Sequence, residues 1–469
     1  MQERPNPVCP GAPPRAVQSR SALACPCRVA AGVVLLAAGF LAACGGTRPA
    51  DTPRAFPLQK TAASPEPAPA PLAEEHAQAI AELEAIGYLG GVNPVPQESG
   101  VTVHDPARAR AGLNLYVSGH DSVAFLTDMA GNVLHTWAYP YERLWPDAGL
   151  PADHAYGWMW RRAALAPNGD LIAVVEGLGM FRLDKNSRLL WARPNRAHHD
   201  LEILGDGRVL TLTRKARMHP LFGDKAPILE DFVCLLSPNG EELVRVSVLE
   251  AILNGPFPHL REEVFGSFAY AASHRPAREQ GDVLHTNTVE WVDDRLAARV
   301  PGVRPGNVLV ACLEIGRAMV LDLETGRVVW ALAPRFQPLH HPTVLDNGNI
   351  LLLLNAWRPE KSAVFEVDPG TGDTVWSFTA DDAPKGEFFT RTCGACYRLS
   401  NGNTLVAESD AGRAFEITPD RQVVWSFSNP HRAGDAGQFI ATIYDLVRLE
   451  SLSRPPWLEK TPPAGASPR

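Results

Sequence analysis

Five histidines of the chain occupy one recurring place, shortly before or at the start of a short apolar segment that leads into a turn. They are His198, His199, His285, His340 and His341, among 14 histidines in 469 residues. His199 and His340 each lie eight residues before the glycine of such a turn, Gly207 and Gly348. Because imidazole serves near neutral pH as nucleophile, general acid or metal ligand, this shared register predicts one site in which these side chains act together.

Two further polar side chains fall into the same register. Alignment on the acidic residue of each segment brings Asn287 to it, and His285 lies two residues earlier on the same strand face, since side chains alternate with a period of two. The unit before His199 contributes Arg161. We therefore expect three histidines, an amide and an arginine to converge.

The histidines also admit two alternatives to a shared reactive site. Any single histidine fits a buried or surface residue with no chemical role, although apolar packing requires none of them here. A metal site is the second alternative, because imidazole trios bind zinc or copper. Apart from the adjacent pairs, these histidines lack the short spacing of many metal sites, and the sequence predicts no metal and no cofactor.

The elements that would position these residues are repeated β-hairpins. Turns such as Asn168-Gly169, Asp206-Gly207, Asn347-Gly348 and Asn401-Gly402 separate pairs of apolar strands. A second hairpin, ending at Trp or an aliphatic residue, recurs six times, at Phe125–Trp137, Phe181–Trp191, Val233–Val246, Val320–Trp330, Phe365–Trp376 and Phe415–Trp425. Four-stranded repeats of this kind predict an all-β, six-bladed β-propeller, with seven blades as the alternative count, whose innermost strands line a central channel.

The spacing of the repeats predicts one insertion and one closure. The interval from Trp191 to Trp330 exceeds two plain blades, which indicates an insertion at Leu253–Gln280. Rings of blades are usually closed by the two ends of the chain. We expect Thr442–Leu449 to pair with the first unit, in which the innermost strand near Leu113–Val117 is ambiguous.

The chain before the propeller reads as an export signal followed by a spacer. Arg28 precedes an apolar run from Val29 to Ala43, which ends at Cys44 and is typical of a bacterial lipoprotein signal. A transmembrane anchor is the alternative, but the run is shorter than the ~20 residues of a span. We expect lipidation of Cys44 and a membrane-anchored protein facing the periplasm or the cell surface.

These patterns divide the chain into five segments. They are a signal peptide (1–43), a Pro/Ala-rich tether (44–71), a short amphipathic helix and linker (72–100), the β-propeller (101–450) and a Pro-rich tail (451–469). The formal charge of −8 gives no reason to expect a nucleic-acid partner. No lysine follows a glycine, so a Walker-type phosphate loop is absent, and no Cys-x-Pro-x-Arg motif of a formylglycine sulfatase occurs.

Cys393 and Cys396 enclose Gly394 and Ala395 where the sixth blade enters the channel. In an exported protein a disulfide is the default for two nearby cysteines. A redox pair, or a metal pair with a channel histidine, remains the alternative. Cys234 and Cys312 lie within strands and are interpreted as buried apolar residues.

The chain resembles the bacterial arylsulfate sulfotransferases, which are six-bladed propellers, over roughly Val101–Leu449. The likeness is carried by His198-His199-Asp200-Leu201-Glu202, His285-Thr286-Asn287-Thr288-Val289-Glu290, His340-His341-Pro342-Thr343, Asp346-Asn347-Gly348-Asn349 and Arg398-Leu399-Ser400-Asn401-Gly402-Asn403-Thr404-Leu405-Val406. The resemblance implies transfer of a sulfuryl group from a phenolic sulfate to a phenol through a sulfated histidine, without a nucleotide donor.

The resemblance also implies roles for single residues. His340 matches the nucleophile, while His285 and one of His198 or His199 match the histidines that hold the sulfuryl oxygens and protonate the leaving phenolate. In the block of residues around them, Asn287 and His341 are candidates for substrate binding. His341 stands where relatives often have Asp.

The arginine that the family places after the second histidine motif is Leu313 in this chain. Arg317 is the nearest substitute in sequence, and Arg161 and Arg391 are the other candidates for neutralising the sulfate. A binding or assembly propeller, which keeps the scaffold and uses its channel for recognition without catalysis, is the alternative function.

Overall fold

The computed structural model describes residues 90–146, 159–275, 280–333, 335–450 and 455–458. The predicted signal, Cys44, the tether and the helix expected within 72–88 lie outside these residues, as does most of the C-terminal tail. Within the described ranges the chain forms six sheets of four or five antiparallel strands and one two-stranded sheet. The fold is a six-bladed β-propeller, as the sequence predicted.

Blades 1 to 3 account for the first half of the ring. Blade 1 takes three consecutive strands and a fourth from the C-terminal end, and blades 2 and 3 follow the order of the chain. After an N-terminal strand β1 (Gly100–His104), the strands are β2 (Leu113–Ser118), β3 (Val123–Thr127) and β4 (Val133–Ala138) in blade 1, β5 (Trp160–Leu165), β6 (Leu171–Val175), β7 (Gly179–Leu183) and β8 (Leu189–Arg193) in blade 2, and β9 (Ala197–Ile203), β10 (Val209–His219), β11 (Gly223–Leu236) and β12 (Glu242–Ser247) in blade 3.

Blades 4 to 6 complete the ring in the same way, each running from the channel outward. Their strands are β13 (Thr286–Trp291), β14 (Val308–Cys312), β15 (Arg317–Asp322) and β16 (Arg327–Ala331), then β17 (Leu339–Val344), β18 (Ile350–Arg358), β19 (Lys361–Val367) and β20 (Thr374–Thr379), then β21 (Ala395–Arg398), β22 (Thr404–Glu408), β23 (Arg413–Ile417) and β24 (Val423–Ser428). The short strands β25 (Arg432–Ala433) and β26 (Phe439–Ile440) form the two-stranded sheet and precede β27 (Ile443–Leu449).

Both ends of the chain close the ring. β27 pairs with β2, from Leu113 opposite Leu449 to Ser118 opposite Ile443, and becomes the innermost strand of blade 1. The predicted pairing of the C-terminal segment with the first unit is therefore confirmed, and Leu113–Ser118 is the second strand of that blade. β1 adds a fifth, outermost strand to blade 6 by pairing with β24, which the sequence did not predict.

The recurring tryptophans link each blade to the next. Four of them donate an indole N–H to a backbone carbonyl in a turn of the following blade, at 2.9 to 3.2 Å: Trp137 to Gly169, Trp191 to Pro238, Trp376 to Pro419 and Trp425 to Met129. The last of these runs from blade 6 to blade 1 across the closure. Such a bond satisfies the indole N–H, while the apolar part of the indole packs between two sheets. This explains why a Trp recurs on the outer strand of most blades.

The core lies between neighbouring blades. Every residue of β14 and β15 is buried because both faces of these strands are covered by the adjacent sheets. One apolar cluster joins Val233 and Leu235 of blade 3 to Val310 and Met319 of blade 4. The outermost strands alternate instead, as in β4, where Trp137 is buried between exposed neighbours. The burial gradient fixes the inner strands most firmly, and these strands carry the histidines.

The predicted insertion between blades 3 and 4 is helical. Helix α1 (Val248–Leu253) begins at Ser247, whose Oγ accepts a hydrogen bond from the Glu250 N–H at 3.0 Å. Helix α2 (Pro258–His274) follows, and a further short helix α3 (Asp294–Ala297) lies between β13 and β14. Among these helices of the described ranges, none has the length and apolar content that crossing a membrane requires.

Candidate functional site

Irregular backbone at the inner strands brings the histidines together. The pairing register shifts beside His199 in β9, at Asn287 in β13 and beside His341 in β17. His199, His285 and His341 have φ values of 56°, 49° and 47°, in the left-handed region that residues other than glycine seldom adopt. Such bulges redirect side chains and cluster at functional sites, since strain of this kind persists only where the surrounding fold imposes it.

Three imidazoles and two carboxylates form a continuous chain of contacts in the channel. Asp282 Oδ2 lies 2.5 Å from His285 Nδ1, and His285 Nε2 lies 3.2 Å from His199 Nε2. His199 Nδ1 lies 2.8 Å from His198 Nδ1, whose Nε2 is 3.5 Å from Asp231. One assignment of protons satisfies the links among the three imidazoles, with His285 donating to His199 and His199 to His198. His198 Nε2 lies near Asp231 without making a hydrogen bond to it. His199 therefore makes the contact with His285, and His198 stands behind it.

His285 is the cationic member of this chain. Burial alone would lower its pKa, but the Asp282 carboxylate, assisted by Glu314 and Asp231, raises the pKa of His285 to about 9. Burial and the charge of His285 hold the pKa of His199 well below its usual value. A protonated imidazole thus adjoins a neutral one at neutral pH.

His340 occupies the same channel with the opposite protonation. Burial, followed by the charges of His285 and Arg161, lowers the pKa of His340 to about 3. Its Nδ1 is buried and has no hydrogen-bond partner among the described residues, and the same holds for Oδ1 of the adjacent Asn355. Asn355 follows the pair His340–Leu353 on β18, and its Nδ2 donates to the carbonyls of Thr390 and Cys393, at 3.1 and 2.7 Å.

Arg161 lies in the channel, as its register predicted. Its guanidinium stands over the ring of Tyr444 on β27, 5.4 Å from the centroid, and its charge lowers the pKa of both His199 and His340 beside the larger effect of burial. Arg214 on β10 is a second buried cation, 3.3 Å from the Glu176 carboxylate. Gly177 has a φ of 68° and lies against this side chain, since a Cβ there would come within 2.2 Å of the Arg214 guanidinium.

A second set of positions, which the sequence analysis missed, surrounds the histidines. The strand that follows each turn reaches the channel end of its blade seven residues after the turn glycine. These positions hold Glu176, Arg214, Leu313, Asn355 and Ser409. Counting forward from the turn, as well as backward, is the signal that finds them. Blade 4 has Leu313 where the family has its arginine, whereas blade 3 has Arg214 at the corresponding place.

The structure keeps Arg317 and Arg391 away from the histidine cluster. Arg317 lies on β15, where its Nε and Nη2 donate to the two carboxylate oxygens of Glu263 of α2 at 2.9 and 2.6 Å, and its Nη1 donates to the Leu332 carbonyl. Arg391 is exposed, beside Asp410. Neither arginine contacts a channel histidine among the described residues, because Arg317 binds Glu263 of the inserted helix α2 and Arg391 lies at the surface.

Asn287 and His341 are buried and hold backbone and neighbouring side chains. Asn287 Nδ2 donates to the carbonyl of Leu339 at 2.8 Å, immediately before His340. His341 contacts the Cys396 carbonyl through Nδ1 at 3.2 Å, and its ring meets Tyr397 edge-on. These contacts support the strand of His340 from two sides.

The predicted disulfide is wrong, since the thiols of Cys393 and Cys396 are free and buried. Cys393 has a φ of 57° and packs with the core between blades 1 and 2, while Cys396 on β21 packs with the core of blades 5 and 6. The two side chains leave the backbone toward different cores. Burial raises the pKa of the Cys393 thiol to about 11, which opposes a thiolate role. Cys234 and Cys312 are buried, as expected.

Glu176, His198 and His199 present ligand atoms within 4.8 Å of one another, a spacing that suits a metal ion. Glu176 is already paired with Arg214, and it accepts the backbone N–H of His199 at 2.9 Å. A cation placed there would meet Arg214 at close range. The donor set therefore fits an internal ion pair better than a divalent metal.

The chain matches the family model described as Arylsulfotransferase (ASST) over residues 162–430, which is more than half of its length. The matched region begins in blade 2, ends after blade 6 and contains all five clustered histidines. No curated protein matches the chain.

Solved structures similar to the chain are propeller-like and distant in sequence. A protein of unknown function from Bacteroides caccae is 13% identical, with 72% of this chain and 98% of that chain covered and a TM-score of 0.45. A streptogramin B lyase is 12% identical, with 77% and 100% covered and a TM-score of 0.40. The Dos1 propeller is 12% identical, with 74% and 78% covered and a TM-score of 0.36.

Proposed function

This chain belongs to the arylsulfotransferase family, and we propose that it transfers a sulfuryl group from a phenolic sulfate ester to a phenolic acceptor through a sulfohistidine at His340. One observation carries the proposal. A single buried channel holds an imidazole with a pKa of about 9, His285, beside an imidazole with a pKa of about 3, His340. Groups whose pKa values are driven apart in this way are suited to act as acid and nucleophile.

In the first half-reaction the lone pair of neutral His340 attacks the sulfur of the ester. The bond between sulfur and the aryl oxygen breaks, and the phenolate takes the proton of His285 Nε2 as it leaves. In the free protein that proton is directed at His199, 3.2 Å away, so the substrate must take over this hydrogen bond.

In the second half-reaction an acceptor phenol replaces the first. Its proton passes to His285, which is now neutral, while its oxygen attacks sulfur and the bond to His340 breaks. Both imidazoles return to their starting states, and no nucleotide or metal is needed for the balance of atoms and charge.

In this proposal Arg161 and Arg214 contribute positive charge for the sulfate ester, and Glu176 offsets part of the charge of Arg214. Both arginines are buried close to the histidines, where charge is weakly screened. Leu313 of blade 4 occupies the position of the family arginine. Arg214 occupies the corresponding position in blade 3, because each residue lies seven positions after the turn glycine of its blade.

In this proposal the substrate takes over the hydrogen bond of His285, and the single proton of neutral His199 moves to Nε2, where it is donated to a sulfuryl oxygen. His198, which stands behind His199, makes no contact with the substrate.

Asn355 orients the nucleophile. Its amide nitrogen is committed to two backbone carbonyls, which turns Oδ1 toward His340. A proton on His340 Nδ1 shared with that oxygen leaves the lone pair on Nε2. The pairing satisfies two buried atoms that otherwise have no partner among the described residues. Asn355 is thus a positioning residue in the proposal.

The test uses the purified protein with 4-nitrophenyl sulfate and phenol. We expect release of 4-nitrophenol, formation of phenyl sulfate, and a sulfohistidine at position 340 detected by mass spectrometry of peptides kept at neutral or basic pH. His340→Ala should abolish both adduct and turnover. His285→Ala should slow turnover by about 10²- to 10⁴-fold, the usual contribution of a general acid.

His104→Ala is the matched control, because His104 is exposed on β1 at the outer edge of blade 6. It should leave turnover unchanged. Turnover that persists in His340→Ala would refute the proposed nucleophile. Binding of aryl sulfates without adduct or turnover would favour a recognition propeller instead.

A further inference from the structure

A layer of polar side chains crosses the channel next to the histidines. Its members on blades 2, 3 and 5 directly follow Arg161, His199 and His340 in the chain. Blade 4 joins the layer through its backbone, because Oδ2 of Asp200 accepts the N–H of Val289 at 3.0 Å. The layer therefore links the innermost strands of all six blades. This layer, the floor of the histidine site, consists of Arg162, Asp200, His341, Tyr397 and Asp445.

Arg162 lies at the centre of the floor. Its Nε is 2.9 Å from Oδ1 of Asp200, and its Nη1 is 2.5 Å from Oδ2 of Asp445. Nη1 also donates to the Tyr397 hydroxyl at 2.6 Å, and that hydroxyl donates to Oδ1 of Asp445 at 2.7 Å. Nη2 lies 3.5 Å from Nε2 of His341. One guanidinium thus contacts side chains from four other blades.

Burial differs on the two sides of the floor. On the histidine side, His199 and His340 are only 4% and 5% exposed. On the other side, the strand faces that carry Arg162, Asp200 and Asp445 continue two residues later, since side chains alternate with a period of two. The residues at these next positions are half-buried rather than buried: Ala164, Glu202 and Val447. This part of the channel, the far channel, is therefore open to solvent, and the floor separates it from the histidines.

We propose that the floor keeps the water of the far channel away from the sulfohistidine, so that a phenol rather than water takes the sulfuryl group. The inference rests on the proposed function. In the competing hydrolysis the oxygen of water attacks sulfur, the bond to His340 breaks, one proton of water passes to neutral His285, and hydrogensulfate leaves. Excluding water from a reactive intermediate prevents such side reactions. Arg162 and Tyr397 act here by filling the channel and do not touch the substrate.

Two variants open the floor at different points. Arg162→Ala removes the guanidinium, and guanidinium chloride at millimolar concentration can refill the gap. Tyr397→Ala removes a ring that lies beside Arg162 and meets His341 edge-on, while Arg162 keeps both carboxylate partners. Thermal melting verifies that each variant is folded. Should Arg162→Ala fail to fold, Tyr397→Ala decides alone.

Two further variants are the controls. Tyr397→Phe loses the hydroxyl but keeps the ring, so it leaves the floor filled. Arg448→Met breaks the buried pair with Glu416 between blades 1 and 6, outside the floor, and so lowers stability without opening the channel.

Hydrolysis is measured on protein that has been sulfated with 4-nitrophenyl sulfate and freed of the donor by gel filtration. Mass spectrometry follows the loss of sulfohistidine at position 340, and ion chromatography follows the release of sulfate. We expect Arg162→Ala and Tyr397→Ala each to speed up this loss about tenfold, and both controls to match the wild type. Guanidinium should restore the slow rate in Arg162→Ala but not in Tyr397→Ala. A structural defect alone would slow the attack on sulfur instead of speeding it up.

Competition with phenol provides the second readout. At saturating phenol, the ratio of sulfate to phenyl sulfate formed should rise about tenfold in both open variants. Hydrolysis no faster than in the wild type, in folded variants that still form the adduct, would overturn the role of the floor and leave the proposed transfer standing. A wild type that forms no sulfohistidine would instead refute the proposed transfer and this inference with it.

Discussion

His285 and His340 differ in protonation because of their neighbours, since both are buried in the same channel. Asp282 gives His285 a counter-charge at 2.5 Å, whereas His340 faces Arg161 and the imidazolium of His285. The pKa of His285 is about 9 and that of His340 about 3. At neutral pH the proton therefore lies on His285, the residue that donates it in the proposed reaction.

Asp282→Asn should move the alkaline limit of activity. A general acid works only while protonated, so wild-type kcat/KM should fall as the pH rises through about 9. Without the carboxylate, burial dominates and lowers the pKa of His285, so the fall in kcat/KM begins at lower pH. At a pH above both pKa values, a pKa that is lower by one reduces the protonated fraction of His285 about tenfold. The pH profile of kcat/KM measures this change.

Asp373→Asn, an exposed carboxylate on the loop between β19 and β20, is the control for that profile. Its alkaline limb should coincide with that of the wild type. An unshifted limb in Asp282→Asn would mean that His285 is not the titrating acid.

Asn355 offers a test of tautomer control. Asn355→Leu and Asn355→Asp both lose the donor to Thr390 and Cys393, but only Asp keeps an oxygen for His340 Nδ1. We expect ¹⁵N NMR to find the proton of His340 on Nδ1 in the wild type and in Asn355→Asp, but not in Asn355→Leu. Turnover should drop by roughly 10- to 100-fold in Asn355→Leu, in line with other orienting partners, and recover in part in Asn355→Asp. Identical tautomers in both variants would exclude the positioning role.

For single residues, the sequence predicted which side chains reach the channel better than it predicted which residues bind them. His199, His340 and Arg161 follow from a register that counts back from a turn glycine, and His285 follows from alignment on the acidic residue of its segment. Asp282 and Asn355 do not, because one precedes its strand by a loop and the other lies on the second strand of its blade. Arg317 was predicted to bind the sulfate because it lies near Leu313 in the sequence. In the structure it binds Glu263 of the inserted helix α2, a contact that sequence proximity does not indicate.

The individual blades were predicted from local sequence signals, whereas the closure of the propeller by the two ends of the chain was predicted only in part. Asn-Gly and Asp-Gly turns and outer tryptophans mark each hairpin within a dozen residues of chain. The pairing of β1 with β24 joins residues more than three hundred positions apart, and β1 carries no motif of its own. It is only five residues long, and three of them are exposed, so it does not stand out from a linker.

A buried ion pair ties the closing strand to its neighbour. Arg448 on β27 contacts Glu416 of blade 6 at 3.0 Å, and neither side chain is exposed to solvent. Arg448 also donates to Asn114 on β2 at 2.6 Å. The pair thus joins β27, β2 and blade 6, where the ring closes.

Arg448→Met should destabilise the propeller by about 3–5 kcal/mol, because it leaves the Glu416 carboxylate buried without its partner. Adding Glu416→Gln should restore part of the loss. Lys361→Met, which breaks the exposed pair with Asp381, should cost at most about 1 kcal/mol. Urea unfolding curves compare the three variants. An Arg448→Met curve that coincides with that of Lys361→Met would show that the closure does not depend on this pair.

The whole chain carries a formal charge of −8, so an anionic ester has to be attracted locally. Arg161, Arg214 and protonated His285 bring positive charge into one channel, where Glu176 offsets part of the charge of Arg214 and Asp282 part of that of His285. The composition excluded a basic, nucleic-acid type of surface but gave no information on this local concentration of charge, which depends on how six blades converge.

We propose that Cys44 is lipidated and anchors the protein to a membrane, on the basis of the apolar run and the small residues before it. In a bacterial host, radiolabelled palmitate should be incorporated into the wild type and not into Cys44→Ala. The wild type should fractionate with membranes, and Cys44→Ala should not. Labelling of Cys44→Ala equal to that of the wild type would refute this anchor.

The double closure has a mechanical consequence. The chain ahead of β1 is held at Gly90 and Asn93, whose carbonyls accept hydrogen bonds from Thr442 and Ile440, and then by the ladder of β1 on β24. A pulling force applied to the chain before Gly90 is therefore borne first at the junction of blades 6 and 1 and along the outer edge of blade 6. β9 and β17, which carry four of the histidines, and β13, which follows His285, lie in blades 3 to 5, away from this junction.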